Sequence, residues 1–348
     1  MRLLDLISQC DTPLIVKPHV LGSTMIVSGP VDFALRIAQC PLRFVIGDDL
    51  TRVSAELAFA DGDRLAGCLD LLSFPAPTLW VEWSDAIHQQ VIAACGTVEQ
   101  RDPDAVGRQV GLLVQADARG RSAVARTFWS VANASGRPEA QMSPLETHID
   151  LDENFKKSTD VTALLRGEYV SLSCRANPCV GDLLKRVRFK MEETWMEYYE
   201  LAALDSAARQ RVVRGSPAAV AHDIPLLFAF FLLLNAKSAT RRVDVDRVAL
   251  NRKRLARARV ALLDHIEVHV SLPGYPTARQ DDVERGCSNR RAPRLHHVRG
   301  HLVRREDRVF WRTPHLRGKA LQGLVRSRTV CLSFAPGSSS DRSQISLN

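Results

Sequence analysis

A chain of 348 residues in which 45% are hydrophobic and 25% are charged has the composition of a globular protein, which argues against disorder of the whole chain. Its length suggests two domains, or one large domain with extensions, because single cores stop growing at about 250 to 300 residues. The net charge of +8 is unevenly distributed: residues 241–328 carry 22 Lys and Arg against 9 Asp and Glu, whereas the remainder has a net charge of −5. A positive segment of this kind attracts polyanions.

Neither the first residues nor the most apolar segment predicts export or membrane insertion. The opening twelve residues carry Asp5 and have no apolar stretch long enough for the core of a signal peptide. Residues 224–234 are strongly apolar, but the segment is well short of the roughly 20 residues that a membrane-crossing helix needs. We therefore expect a cytoplasmic chain with no membrane partner, in which 224–234 is a buried core helix.

The first part of the chain is rich in predicted strands. A helix is predicted at 31–38, and β-branched or alternating segments predict strands at 42–46, 78–83, 110–116, 122–131 and 145–151. A turn at 117–120 ends in Gly120, where a tight reversal requires glycine. We expect these strands to form an antiparallel sheet.

The middle of the chain is predicted to be helical. Apolar residues at mostly three- and four-residue intervals indicate an amphipathic helix at 180–204. Pro225 predicts either a break or the true start of a second helix that extends to residue 235. Residues 244–259 are a third, basic helix candidate.

The last part of the chain is predicted to be a small basic β segment. A strand at 264–272 is followed by a hairpin of 294–304 and 308–313 around the turn at 305–307, and by a final strand at 326–334. The predicted fold is α+β, with a mainly antiparallel sheet in the N-terminal half, a helical middle and this basic C-terminal segment. The predicted domains are 1–155, sheet-rich; 156–335, helical with a basic β-hairpin module; and 336–348, a disordered tail.

Histidines cluster near the end of the chain, where six of the ten lie between residues 265 and 315. If 294–304 is one strand, its period of two places His297, Arg299 and His301 on one face and His296 on the other. Imidazole transfers protons and guanidinium holds phosphate oxygens, so this pattern suits phosphodiester chemistry. The candidate catalytic residues are therefore His296, Arg299 and His301, and the alternative is that these histidines only form structural hydrogen bonds.

The basic helix candidate and the hairpin carry enough arginine to neutralise several phosphates. Val248, Leu250 and Leu255 form a thin apolar stripe that could dock the helix, so a solvated basic face is the alternative. The predicted nucleic-acid-binding residues are Arg252, Arg254, Arg257, Arg259, Arg299 and Arg304.

No metal site and no cofactor are predicted. Cys174 and Cys179 are a close pair without a second pair to complete a four-thiolate zinc site. A zinc site formed by Cys287, His296, His301 and His315 would have spacings that match none of the standard fingers or knuckles. A glycine-rich phosphate loop and a dinucleotide fingerprint are both missing from the sequence.

One part of the chain resembles a known group of proteins. The residues that carry the resemblance are Leu250-Asn251-Arg252-Lys253-Arg254, Leu262-Leu263-Asp264-His265, Arg294-Leu295-His296-His297-Val298-Arg299-Gly300-His301, Trp311 and Gly318. This pattern is similar to the C-terminal signature of a widespread group of uncharacterised phage and prophage proteins, with an Arg-x-His-x-x-Arg-Gly-His strand at its centre. The resemblance covers about 244–330 and implies a mobile-element origin without an activity.

Three functions compete at this point. The first is a phage or prophage accessory protein that binds nucleic acid through its basic C-terminal module. The second is a metal-independent nuclease that uses the histidines and Arg299. The third is a virion-associated or protein-interaction protein without enzymatic activity.

Overall fold

A computed structural model describes residues 2–8, 15–16, 25–26, 30–95, 108–132, 137–156, 158, 160–172, 178–192, 217, 220–237, 239–271, 294–298, 300–312, 315–317 and 319–324. The chain divides into two compact units. The first unit comprises Met1–Gly274 and His301–Thr313, and the second comprises Tyr275–Gly300 and Pro314–Asn348.

Helices and strands are interspersed along the described part of the first unit. Its helices are α1 (Leu3–Ser8), α2 (Pro30–Gln39), α3 (Asp48–Phe59), α4 (Gly62–Ala66), α5 (Asp85–Ala94), α6 (Pro178–Leu184), α7 (Asp223–Asn235) and α8 (Val248–Leu255), with 3₁₀ turns at Leu69–Leu71 and Val161–Arg166. Its strands are β1 (Ile15–Val16), β2 (Met25–Ile26), β3 (Leu42–Ile46), β4 (Thr78–Ser84), β5 (Gln109–Ala116), β6 (Ser122–Ala132), β7 (Pro138–Asp150), β8 (Val187–Met191), β9 (Thr240–Val245), β10 (His265–Val270), β12 (His301–Arg305) and β13 (Arg308–Arg312). The second unit contains β11 (Arg294–Val298), β14 (His315–Arg317) and β15 (Lys319–Leu324), with β11 between the other two.

Eight strands of the first unit form one mixed sheet in the order β8-β7-β6-β5-β4-β3-β10-β9. The mixed α and β content is confirmed, and five of the seven strand pairings in this sheet are antiparallel. The sheet is nevertheless mixed, because β3 pairs in parallel with both β4 and β10. For β3 and β4 the reason is the connection between them. Helices α3 and α4 return the chain to the end of the sheet at which β3 began, so β4 runs in the same direction as β3.

Aromatic side chains attach helices to both faces of this sheet. On one face Phe44 of β3 packs edge-on against Phe230 of α7, with ring centroids 5.7 Å apart. On the other face Phe128 of β6 contacts Phe33 of α2 and Trp80 of β4. The indole of Trp80 lies so close to Gly111 of β5 that a Cβ there would be 2.2 Å from the ring. Edge-on and tilted contacts of this kind are the favoured geometries of aromatic pairs.

The predicted core helix at 224–234 is confirmed. Every residue of α7 from Asp223 to Leu234 is buried, and Pro225 lies in the first turn, where a missing backbone N–H costs nothing. In the part of the chain that the structure describes, no helix is long and apolar enough to cross a membrane.

The predicted amphipathic helix at 180–204 is wrong for residues 187–191, which form β8. Val187, Phe189 and Met191 are buried and alternate with partly exposed residues, which is the period of a strand that has one buried face. Together with Leu183 and Leu184 these residues also fit helical intervals, so the apolar spacing alone did not separate the two structures. Helix α6 ends at Leu184, and residues 193–204 lie outside the described part of the chain.

The large sheet draws strands from both sides of residue 155, where the sequence analysis placed a domain boundary. Strands β3 to β7 precede this position, whereas β8, β9 and β10 follow it. The predicted last strand at 326–334 and the predicted disordered tail at 336–348 lie outside the described residues.

The C-terminal hairpin is confirmed for β12 and β13, which pair antiparallel around Glu306 and Asp307. The prediction of one strand over 294–304 is wrong, because β11 ends at Val298 and β12 begins at His301. The two strands also have different partners: β11 pairs with β14 and β15, whereas β12 pairs with β13. Gly300 lies at the break and has no strand conformation, consistent with the weak strand preference of glycine.

Helix α1 is fixed to the sheet by a buried carboxylate. Glu82 of β4 is 1% exposed and accepts hydrogen bonds from the backbone N–H groups of Leu3 and Leu4 at 2.7 and 2.9 Å. The indole N–H of Trp80 donates to the same carboxylate. Burial raises the pKa of Glu82 above its ordinary value, and the hydrogen bonds act in the opposite direction.

Replacing Glu82 with alanine removes the acceptor of these three buried donors. We expect Glu82→Ala to lower the free energy of unfolding by about 2 to 4 kcal/mol, because each buried donor that loses its partner is costly. Glu82→Gln retains one acceptor oxygen and should cost about half as much. Urea unfolding followed by tryptophan fluorescence measures both values, and equal stability of all three proteins would contradict this role of Glu82.

Candidate functional site

Strand β9 is the edge of the large sheet, next to β10. It pairs with β10 over its whole length, from Thr240 opposite Val270 to Val245 opposite His265. Its residues 241–244 are exposed, and Arg241 and Arg242 are among them. The edge therefore presents two cations and a row of backbone groups on its outer side.

Helix α8 follows β9 and none of its residues is buried. The predicted helix at 244–259 is correct for Val248–Leu255 and wrong for Asp244 and Val245, which belong to β9. After the helix Ala258 adopts a left-handed backbone conformation with φ 51°.

Polar contacts hold α8 against the rest of the unit. The side-chain amide of Asn251 donates to the carbonyl of Leu262 and accepts from the N–H of Leu262, both at 2.8 Å. The backbone N–H of Arg247 donates to Asp264 at 2.7 Å, and the N–H of Val248 donates to Asp246 at 2.7 Å. Asp246 thereby satisfies one of the helix N–H groups that lack an intrahelical partner.

Four apolar side chains on and after α8 are exposed: Val248 is 57% exposed, Leu250 45%, Leu255 62% and Val260 47%. The sequence analysis assigned the first three to a stripe that docks the helix, but the structure leaves them in solvent. Short helices in proteins owe most of their stability to a packed apolar face. An eight-residue helix that lacks such a face and exposes its apolar residues has the character of an interaction element.

The exposed cations of β9, of α8 and of the segment just after α8 form a set that we name the basic surface. It consists of Arg241, Arg242, Arg252, Lys253, Arg257 and Arg259. Among the described residues, no carboxylate forms an ion pair with any of these six side chains. Three of the predicted nucleic-acid-binding residues, Arg252, Arg257 and Arg259, thus lie free on one exposed segment.

The other predicted nucleic-acid-binding residues have different surroundings. Arg254 is partly buried and its Nε donates to the carbonyl of Val260 at 2.8 Å, which closes the turn after α8. Arg304 of β12 donates to both carboxylate oxygens of Asp70 at 2.7 Å and to the carbonyl of Gly67 at 2.6 Å. The hydrogen bond from Arg304 lowers the pKa of Asp70, so this arginine ties the hairpin to the segment after α4. Arg299 lies outside the described residues.

Two of the three candidate catalytic residues belong to different units of the chain. His301 begins β12 in the first unit and is partly buried, whereas His296 belongs to β11 of the second unit. The strand that was expected to carry His297, Arg299 and His301 on one face is interrupted at Gly300. The alternation of a single strand therefore does not relate His301 to the residues of β11, and the catalytic roles of His296, Arg299 and His301 stay predictions.

A different histidine and carboxylate group lies on β10. Alternation places His265, Glu267 and His269 on one face of this strand. Glu267 forms an ion pair with Arg2. The side chain of His265 is fully buried, and burial lowers its pKa, with the positive charge of Arg2 acting in the same direction. His269 is the accessible member, with a side chain that is 31% exposed.

His269 meets the beginning of α3 at the carboxyl end of β3. The carboxylate of Asp49 accepts the backbone N–H of Val270 at 3.0 Å, and its other oxygen lies 3.4 Å from Nδ1 of His269. Nε2 of His269 lies 3.6 Å from Glu267, which is longer than a hydrogen bond. The imidazole rests on Gly47, where a Cβ would lie 2.4 Å from Nδ1, so the close approach requires glycine.

The sequence contained part of this signal. His265, Glu267 and His269 are two residues apart inside a predicted strand, and this spacing places all three on one face. The contribution of Asp49 was hidden, because it depends on β10 lying beside β3 in parallel. Polar residues that follow parallel strands meet at the carboxyl edge of the sheet, which is where ligands bind in such folds.

Another histidine cluster is closed to ligands. His88, Asp85 and Asp223 are each 0% exposed, with Nδ1 of His88 3.7 Å from Asp223 and 4.0 Å from Asp85. Arg108 lies 3.8 Å from the second oxygen of Asp85. This group connects α5 with α7 inside the core.

Comparison of the chain with protein-family models, with curated proteins and with solved structures gives no match. Within the described ranges there is also no group of three or more His, Cys, Asp or Glu side chains that could hold a metal ion.

Asn251 is the residue whose replacement should release α8. We expect Asn251→Ala to speed amide exchange in Val248–Leu255 by about 30-fold, since two side-chain hydrogen bonds contribute about 2 kcal/mol. Exchange in β10 should stay unchanged, and Asn251→Asp, which keeps only the acceptor, should lie between alanine and the native chain. Exchange in α8 that is indifferent to both substitutions would show that another contact holds the helix.

Proposed function

We propose that the chain binds nucleic acid through the basic surface. The observation that carries this proposal is the set of six exposed cations on β9, on α8 and in the segment just after α8, none of which forms an ion pair with another described residue. Phosphate groups bind such cations with release of counterions, which supplies affinity that does not depend on sequence. The uneven distribution of charge along the chain also favours nucleic acid as the partner, since residues 241–328 have a net charge of +13.

The exposed apolar residues support a bound partner over a solvated basic face. A helix that only faced water would gain nothing from Val248 and Leu255, which are 57% and 62% exposed on the same side as Arg252. In nucleic-acid complexes, apolar side chains between cations contact sugars and bases while the cations hold phosphates. The combination found on α8 is suited to both contacts.

A protein partner is the second candidate. It is favoured by β9, an edge strand whose exposed Val243 and free backbone groups could pair with a strand of another chain. Such a contact would depend weakly on salt, whereas phosphate contacts weaken steeply with salt. Salt dependence therefore separates the two candidates. A role as a phage or prophage accessory protein is part of the proposal and is supported by the sequence resemblance over 244–330.

The charge of the basic surface should determine the affinity for a single-stranded RNA of 20 nucleotides. We expect the variant Arg241→Gln, Arg242→Gln, Arg252→Gln and Lys253→Gln to bind at least tenfold more weakly in 50 mM salt. The slope of log K against log salt should fall by about 3, since each phosphate contact on a single strand contributes about 0.7. Fluorescence anisotropy at several salt concentrations measures both quantities.

A matched variant controls for the loss of four charges. Arg52, Arg64, Arg119 and Lys156 are exposed elsewhere on the same unit, and their replacement by glutamine should leave the slope within about 1 of the native value. Equal losses in both variants would indicate a non-specific effect of net charge. Binding that is indifferent to salt in the native chain would contradict the proposal.

A further inference from the structure

Pairing between β9 and β10 places the basic surface beside His269. In their antiparallel register Arg241 is directly opposite His269, and directly opposite residues project from the same face of a sheet. Arg241 is exposed, and its side chain forms no ion pair within the described ranges. A phosphate held by Arg241 would therefore lie next to the accessible imidazole.

One continuous strand, β9, connects the position opposite His269 with α8. Strand β9 has six residues, a length of about 20 Å, and it leads from Arg241 directly towards α8. A nucleic acid that contacts α8 and follows this edge reaches Arg241 at the other end. The binding surface thus extends to the imidazole within the same unit.

Asp49 gives His269 the orientation that proton transfer needs. Because Asp49 is held by the N–H of Val270, its free oxygen favours a proton on Nδ1 of His269. The other nitrogen, Nε2, then carries a lone pair. It forms no hydrogen bond with another described residue, since Glu267 is 3.6 Å away. An imidazole in this state is a general base for a hydroxyl group.

We propose that the chain cleaves RNA without a metal ion, with His269 as the catalytic residue, Arg241 as the phosphate contact and Asp49 as a positioning residue. This inference rests on the proposed function, because the substrate is the strand bound along β9. RNA is the substrate class since its 2′-hydroxyl is already held next to the phosphate, so that one base is enough to start the reaction.

The reaction is an internal transesterification. Nε2 of His269 accepts the proton of the 2′-hydroxyl as the bond from O2′ to phosphorus forms. The bond from phosphorus to the 5′ oxygen breaks, and this oxygen takes the proton back from the imidazolium. The products are a 2′,3′-cyclic phosphate and a 5′-hydroxyl, and the enzyme returns to its starting state without a co-reactant.

The test uses the full chain, a chelator and a fluorescent single-stranded RNA. The native protein should produce fragments that end in a cyclic phosphate. His269→Gln should lower the cleavage rate at least 100-fold, since general acid–base groups contribute about 10² to 10⁴. His148→Gln is the matched control: His148 is a partly buried histidine on β7 that contacts Glu146, and this variant should cleave at the native rate.

Asp49→Asn tests positioning separately from folding. The asparagine retains the size of the side chain but presents an amide to the imidazole, which favours the wrong tautomer. We expect kcat to fall at least tenfold with KM unchanged, together with an altered pH profile of kcat. A purely structural Asp49 would change the thermal midpoint and leave the pH profile as it is.

Binding to the same oligonucleotide with 2′-deoxyribose separates the inference from the proposed function. His269→Gln should bind this analogue within twofold of the native chain and unfold at a similar temperature. Native protein that binds RNA but never cleaves it overturns the inference and leaves the proposed function standing, and no binding at all overturns both. Cleavage of the deoxy analogue, or cleavage that the chelator abolishes, also overturns the inference.

Discussion

The insertion of β10 between β3 and β9 is the interaction on which the functional geometry depends. Ile266 pairs with Phe44 across more than two hundred residues of chain, and Val268 of the same strand is fully buried. This pairing adds the basic segment to the central sheet and leaves β9 at its edge. It also brings His269 over Gly47 and beside Asp49, at the carboxyl edge of two parallel strands.

Helices α7 and α8 are held in the fold by different interactions, apolar burial for α7 and hydrogen bonds for α8. Helix α7 buries all of its residues from Asp223 to Leu234 and belongs to the apolar interior. Helix α8 buries none. It is held in place by the hydrogen bond that Asn251 donates to Leu262 and by the one that Asp264 accepts from the N–H of Arg247. Polar anchoring fixes the position of a helix while it leaves the other faces free for a partner. The exposed apolar side chains of α8 are a cost in water that contact with a partner would remove.

Local sequence patterns predicted those elements that are determined by their own hydrophobicity, alternation or turn residues. The run at 224–234, the strands of the β4 to β7 meander and the hairpin of β12 and β13 follow from hydrophobicity, alternation and turn residues. Residues 187–191 were misassigned because apolar positions two apart next to a helical run satisfy both periods. The parallel pairing of β3 with β10 and the meeting of Asp49 with His269 depend on contacts between residues distant in sequence, which local patterns do not encode. Similarly, Arg304 could not be distinguished from Arg252, since its partner Asp70 is 234 residues away.

The location of the contact is the most direct test of the central claim, that nucleic acid binds along β9 and α8. RNA that carries a photoreactive base can be crosslinked to the full chain, and mass spectrometry of the peptides then identifies the attached residues. The account predicts crosslinks within residues 240–260 and on the neighbouring strand 265–270. Crosslinks confined to peptides from β5 to β8 would contradict it.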